Sequence, residues 1–225
     1  MTAIFVTATG TDIGKTFVAA GLIRHWRAAG SAVTALKPVV TGFYPAEADG
    51  SDPGLLLAAQ GKSATLAQIE AIAPWRFTAP VSPDMAARRE NRTLDFDALV
   101  KFCRDAMAAN TATLLIEGVG GVMVPLGERH TVLDWMAALE MPLVVVTGSY
   151  LGSISHTLTA LDVLRQRGLV TKALVVNETA GSPVPVAHTI ETLMHFAEGI
   201  PIVPLPRRPA GVTSHAAFAE IAKLL

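Results

Sequence analysis

The sequence predicts an α/β fold: a doubly wound, mostly parallel sheet with helices on both faces. Three observations carry this expectation. Strand-like apolar runs alternate with helix-length segments along the whole chain, the order that winds a parallel sheet. Runs such as Leu143-Val144-Val145-Val146 are apolar at every position, as strands covered on both faces are. Gly30, Gly168 and Gly199 stand where helices are expected to end. The 225 residues are 51% apolar and 16% charged, enough to bury a substantial core in one domain and too apolar for a disordered chain.

The elements follow in order. Strands are expected at 3–7, 32–38, 113–117, 143–147, 173–177 and 202–205, and helices at 15–29, 95–109, 131–139, 153–167, 184–196 and 214–225. The region 43–92 is the least regular, with Pro45, Pro53, Pro74, Pro80 and Pro83 interleaved with Gly42, Gly50, Gly54 and Gly61. It reads as too rich in breakers for a strand, with short helices at 55–60 and 84–89. A long connection of this kind is usually functional or mobile. In an open α/β sheet it gathers where ligands bind, at the carboxyl ends of the strands.

The stretch around which the chain is organised is Thr7-Ala8-Thr9-Gly10-Thr11-Asp12-Ile13-Gly14-Lys15-Thr16. An apolar strand, a Gly-containing turn and Gly-Lys-Thr at a helix start form a phosphate-binding loop, and the expected fold is P-loop NTPase-like. Small residues let backbone N–H groups surround a polyphosphate, and the helix N-terminus adds partial positive charge. Lys15 would neutralise the phosphates and the Thr16 hydroxyl would ligate Mg²⁺. The strict pattern wants Gly at position 9, where this chain has Thr9, so Gly10 or a displaced turn takes that part.

Two further strand ends carry chemistry. Glu117 closes the apolar run Leu114-Leu115-Ile116 and precedes Gly118-Val119-Gly120-Gly121. An acid delivered beside a phosphate loop can hold Mg²⁺, and the glycines let backbone approach a substrate. Lys37 ends the second strand and is followed by Pro38. On its own it is an ordinary lysine reaching the surface. On the same sheet edge as the loop, it brings a second ammonium to the polyphosphate, which suits phosphoryl transfer, a reaction catalysed by positioning and charge neutralisation. Ser51-Asp52-Pro53 reads as a helix start from which Asp52 can also reach the metal. Asn177 is either a strand-end turn residue or an amide reading a nucleobase edge.

Other function classes find little support. Net charge is −1 without blocks of like charge, so neither nucleic acid nor an acidic membrane surface is an expected partner. No apolar run reaches the ~18 residues of a membrane span, no secretory signal is visible, and the expected location is cytoplasmic. Cys103, the one cysteine, reads as a core thiol, the histidines show no metal-ligand spacing, and no Gly-x-Ser-x-Gly elbow is present.

Taken together, Thr-Asp-Ile-Gly-Lys-Thr at 11–16, Lys37-Pro38-Val39 with Thr41-Gly42, Ser51-Asp52, Glu117-Gly118-Val119-Gly120-Gly121, Leu151-Gly152 with His156, and Asn177 resemble dethiobiotin synthetase, an ATP-dependent ligase of biotin synthesis. The resemblance extends from the first strand to about Pro206. It implies carboxylation of 7,8-diaminopelargonic acid by CO₂ with ATP, through a carbamate and a carbamic–phosphoric anhydride, ending in ring closure. It implies catalytic roles for Lys37, Lys15 and Thr11 and Mg²⁺ ligation by Thr16, Asp52 and Glu117. Nucleotide contacts are implied along Asp12, Ile13, Gly14, Lys15, Thr16 and Phe17, at Asp52, at Glu117, Gly118, Val119 and Gly120, and around the base at Asn177, Glu178, Pro206, Arg207 and Arg208. Thr41 would meet the substrate. The family is a homodimer whose substrate carboxylate lies at a helix N-terminus across the interface, which corresponds here to Gly152, Ser153 and Ser155.

The chain departs from the family pattern in places. Ala8 and Gly10 alter the loop, Thr41 stands for a commoner Ser, Ser155 for a frequent Asn and Glu178 for an Asp, and Arg207-Arg208 is unusual after Pro206. The alternative weighed against this reading is a partition or septum-positioning switch ATPase. Such proteins carry an additional early lysine in the loop, which residues 7–12 lack. A cobyrinic-acid-type amide ligase would need a glutaminase domain for which the chain is too short.

Overall fold

Burial on both faces of six strands organises the molecule, whose computed structural model describes residues 2–208 and 216–225. The order is β1 (Ala3–Ala8), α1 (Lys15–Ala28), β2 (Val33–Leu36), β3 (Val39–Thr41), a 3₁₀ segment (Pro45–Gly50), α2 (Asp52–Ala59), α3 (Leu66–Ile72), β4 (Trp75–Phe77), α4 (Pro83–Arg89) and α5 (Phe96–Ala109). It continues with β5 (Thr113–Glu117), α6 (Val132–Leu139), β6 (Leu143–Gly148), α7 (Ser153–Gln166), β7 (Thr171–Asn177), α8 (Val186–Met194), β8 (Ile202–Leu205) and α9 (Ala216–Lys223). The main sheet runs β2-β5-β1-β6-β7-β8, and every pairing in it is parallel.

The strands form where apolar runs can be covered twice. Ile4, Phe5, Val6, Leu114, Leu115, Ile116, Val144, Val145, Leu174 and Val175 are all fully buried, so consecutive side chains on opposite faces both meet protein. Trp135 of α6 packs edge-on against Phe5, with ring centroids 4.9 Å apart. Pro204 lies in β8, at the end of the strand order, where a residue without an N–H is tolerated.

Local chemistry sets the helix starts. Asp95 accepts from the Ala98 N–H to open α5, and Thr131 and Asp134 form a reciprocal capping box at α6. The helices α1 and α7 differ, because each begins at a left-handed glycine, Gly14 and Gly152, with no side-chain cap. Their first N–H groups are therefore left for other partners. Packing of α1 on α9 is close: a Cβ on Gly21 would lie 2.1 Å from the Phe218 ring.

The six expected strands and six long helices are present, with ends shifted by a few residues. The expected helix at 214–225 begins outside the described residues and is seen as α9. The region 43–92 needs correction. Trp75–Phe77 is a strand paired in parallel with Val39–Thr41 in a second, two-stranded sheet, and Leu66–Ile72 is a helix capped by Thr65. Three residues of strand between Pro74 and a Pro80 turn are too short for a periodic signal; the pairing with β3 makes the strand. Cys103 is buried, and burial pushes its thiol up to about 12, as a core residue requires.

The site follows from the strand order. The chain moves from β1 outward to β2, returns through β5, and then continues on the other side of β1 through β6, β7 and β8. The direction reverses at β1, which leaves a crevice at its carboxyl end. The loop 9–14 opens there.

Candidate active site

Gly10 to Thr16 line the end of β1. Asp12 (φ 56°) and Gly14 (φ 101°) are both left-handed. Backbone that turns through such residues forms a concavity of N–H groups. The glycine-rich turn after β5 lies directly against this loop: a Cβ on Gly121 would sit 3.2 Å from Gly10 backbone atoms. The loop is fastened twice from the β6–β7 side of β1. Asn177 donates its amide N–H to the Ile13 carbonyl at 2.8 Å. On the β6 side Thr9, Thr147 and Thr157 form a line of hydroxyls at 3.2 and 2.7 Å, which ends on the Ser153 carbonyl at 2.6 Å.

The charged centre is built from four elements. Lys37, at the end of β2, has its Nζ 2.6 Å from Glu117 Oε1, 2.7 Å from the Gly118 carbonyl and 3.1 Å from Asp52 Oδ2. Thr16, in the first turn of α1, has its hydroxyl 2.7 Å from Glu117 Oε1 and 2.9 Å from Asp52 Oδ1. The second Glu117 oxygen, Oε2, is buried and without a partner. Lys15 donates to the Gly10 carbonyl at 3.1 Å, inside its own loop.

Burial and neighbours shift these groups. Lys15 is lowered to about 8, chiefly by burial and then by the like charge of Lys37. Burial also disfavours the Lys37 ammonium, but Glu117 and Asp52 outweigh it and hold the group above the ordinary lysine value. Asp52 loses some solvation, yet Lys37 and the Thr16 hydroxyl hold its carboxyl below the usual range. Burial pushes Glu117 up, and the Asp52 charge adds to this against Lys37.

A cleft of about 670 Å³ opens over this centre, lined among others by Thr11, Asp12, Gly14, Lys15, Thr16, Lys37, Thr41, Asp52, Val119 and Gly120. Sequence reasoning missed its far wall, Pro80-Val81-Ser82-Pro83. The available signal was Gly42, which is left-handed, and a Cβ there would lie 3.2 Å from Pro80.

The remaining sites expected from sequence lie elsewhere. Phe17 turns toward α9, its ring 5.9 Å from that of Phe218. The Glu178 carboxylate accepts the backbone N–H of Arg207 at 2.7 Å, so it ties the segment after β8 to the end of β7. Pro206, Arg207 and Arg208 are exposed beside it. Gly152, Ser153 and Ser155, at the start of α7, do not line the cleft. His156 pairs with the Tyr150 hydroxyl at 2.8 Å.

With this geometry, a family model described as an AAA domain matches residues 2–209. The ATP-dependent dethiobiotin synthetase BioD of Acidiphilium cryptum (strain JF-5) is 50% identical over 202 residues, covering 89% of this chain and 91% of the relative. This chain is a member of the dethiobiotin synthetase family. A second synthetase, from Phenylobacterium zucineum (strain HLK1), is 46% identical over 98% of this chain and 93% of its own length. Among solved structures, the cell division ATPase MinD of Pyrococcus furiosus aligns with a TM-score of 0.57 at 18% identity, covering 100% of this chain and 98% of that one. The MinC:MinD complex of Aquifex aeolicus gives 0.58 at 12%, covering 98% and 86%. Those likenesses show the fold alone, so the septum-type ATPase is a distant structural relation and the synthetase reading stands.

Proposed function

We propose that the cleft carries out the ATP-dependent closure of a cyclic urea on 7,8-diaminopelargonic acid, with the 225 residues acting as one domain. The observation that carries this reading is the convergence of two lysines, two carboxylates and a threonine hydroxyl on the mouth of the phosphate loop, in a chain half identical to a named dethiobiotin synthetase.

The polyphosphate of ATP lies in the loop 10–16, where the N–H groups and the α1 terminus favour an anion. Glu117, Asp52 and Thr16 would hold Mg²⁺. The fit rests on the partnerless Glu117 Oε2 and on a donor set made only of oxygen, with few protein ligands, as suits an ion shared with phosphates and water. When bound, the ion would supply charge neutralisation to the polyphosphate. One amine of the substrate takes up CO₂ as a carbamate, which Thr11, Thr41 and Lys37 orient. A carbamate oxygen attacks the γ-phosphorus, ADP leaves, and Lys15 and Lys37 offset the negative charge that moves during transfer. The second amine then attacks the anhydride carbonyl, and phosphate departs with its oxygen. Both amines belong to one molecule, so closure gains from high effective concentration.

Asn177 reads the base. One of its two amide N–H groups is given to Ile13, which leaves an acceptor oxygen and one donor, a pair that suits the exocyclic amine and a ring nitrogen of adenine. The exposed start of α7, with Leu151 83% exposed, serves a second copy. Gly152, Ser153 and Ser155 do not line their own cleft, and in a homodimer they would receive the carboxylate tail of the partner's substrate. No described helix is long and apolar enough to cross a membrane, and the proposed site of action is the cytoplasm.

The test is ADP release by the purified chain with ATP, Mg²⁺ and bicarbonate, with and without the diamine. The expected result is turnover that needs both diamine and bicarbonate and yields the cyclic urea by mass. ATP hydrolysis indifferent to the diamine would reject the reading.

A further inference from the structure

Lys37 is one of the largest fully buried side chains of the molecule, 1% exposed. An ammonium has three N–H groups, and three oxygens receive them here: Glu117 Oε1, Asp52 Oδ2 and the Gly118 carbonyl. The first two belong to the carboxylates that the proposed function gives to Mg²⁺. The cation site already contains a cation, and it is part of the chain.

We infer that Lys37 is a displaceable internal counter-ion. In the metal-free protein it holds Glu117 and Asp52 together, and loading of the divalent ion drives it off them. This rests on the metal reading above. A metal ion on Glu117 and Asp52 sets a second positive charge beside Lys37 on the same two carboxylates, and at the fully buried Glu117 the repulsion is far less screened than in water. The lysine, however, cannot simply be abandoned, since an unpaired buried ammonium is costly. It can keep its bond to the Gly118 carbonyl and turn to a new anion, and the anions that arrive at this edge are the phosphates and the carbamate. Metal alone therefore binds against the lysine, whereas metal with nucleotide gives the lysine a partner. The two ligands reinforce one another, and the catalytic ammonium is released toward the reacting groups only when both are present.

The same centre sets Lys37 apart from Lys15. Lys15 is close enough to feel Glu117 and Asp52 but donates to Gly10, so it repels a metal ion without occupying its ligands. Mn²⁺ is a direct probe: free ion is counted by its electron paramagnetic resonance signal while the nucleotide-free full chain is titrated. Lys37→Met is expected to bind Mn²⁺ at least about tenfold more tightly than the wild type. Lys15→Met is expected to change affinity by much less, and the advantage of Lys37→Met is expected to shrink when ADP is added. Equal or weaker Mn²⁺ binding by Lys37→Met would overturn the inference, as would an equal gain in Lys15→Met.

Glu117→Gln separates the two levels of the argument. Loss of Mn²⁺ binding in that variant, together with an unaltered Lys37→Met, removes the displacement and leaves the metal site standing. Retention of wild-type Mn²⁺ affinity by Glu117→Gln removes the ligand assignment, and the displacement with it. A melt of the wild type needs no variant. Mg²⁺ with ADP is expected to raise Tm by more than the sum of the two added separately. A rise with Mg²⁺ alone as large as with both would overturn the inference.

Discussion

Lys15 carries the clearest consequence at the scale of one residue. Its ammonium is held at about 8 by burial and by Lys37, whereas an unfolded lysine titrates near 10.4. The sign follows from proton counting. Below about 8 both states are protonated and the folded state bears the full cost of a buried charge. Between that value and the unfolded one the folded state binds fewer protons, so stability rises with pH through this window. Nucleotide binding runs the other way, because the phosphates need the charged form. Nucleotide affinity is therefore expected to weaken as pH rises from 7 to above 9, read by calorimetry. Lys15→Arg, which stays charged throughout, is expected to flatten the dependence even if its affinity is lower overall. A wild-type affinity that does not change over this range would refute the assignment. The residue scale is also where the sequence was most legible. Lys15, Thr16, Lys37, Asp52 and Glu117 were each expected from strand-end or helix-start positions; the last four meet within hydrogen-bond distance, and Lys15 lies beside them on the Gly10 carbonyl. What could not be read was the partnership of Lys37 with both acids, since it depends on how far α2 swings toward β2.

At the scale of elements, the phosphate loop is rigid because its neighbours hold it. The polarity of the hydroxyl line is forced. The Ser153 carbonyl can only accept, so Thr157 gives it its one proton, Thr147 donates to Thr157, and Thr9 donates to Thr147. The line joins the first turn of the loop to the first turn of α7 through the half-buried Thr9 and the buried Thr147 and Thr157. Thr147→Val keeps the shape and removes the middle link. A net hydrogen bond is worth ~1 kcal/mol of stability, so Tm is expected to fall by about 2–4 °C; because the loop also loses its tie to α7, kcat is expected to fall as well, and Thr147→Ser is expected to restore both. A variant that loses Tm while keeping kcat would make Thr147 merely structural. Periodicity found the six long strands and helices because each is covered by a whole layer. It missed β3, β4 and α3, whose three to seven residues are fixed by one another's backbone and by the Thr65 cap rather than by an apolar stripe.

At the scale of the molecule, the sheet was legible from the alternation of elements, but its order was not. Local pattern carries no information on which strands become neighbours. The outcome has a cost in chain entropy. Leu143 pairs with Thr171 and Leu174 with Ile202, each across one helix. The central strand β1 instead needs partners from far away: Ile4 pairs with Leu115 and Phe5 with Leu143. Contacts that close short loops form earlier. In pulsed hydrogen exchange during refolding, β6, β7 and β8 are expected to gain protection before β1, and early protection of β1 would contradict this order. On the ribosome the consequence is sharper. The strand that leads into the nucleotide loop is made before either of its neighbours: it stays apolar and unpaired until Leu115 has emerged, and paired on one side only until Leu143 follows. The newborn chain thus carries an aggregation hazard in β1 until the middle of the sheet arrives.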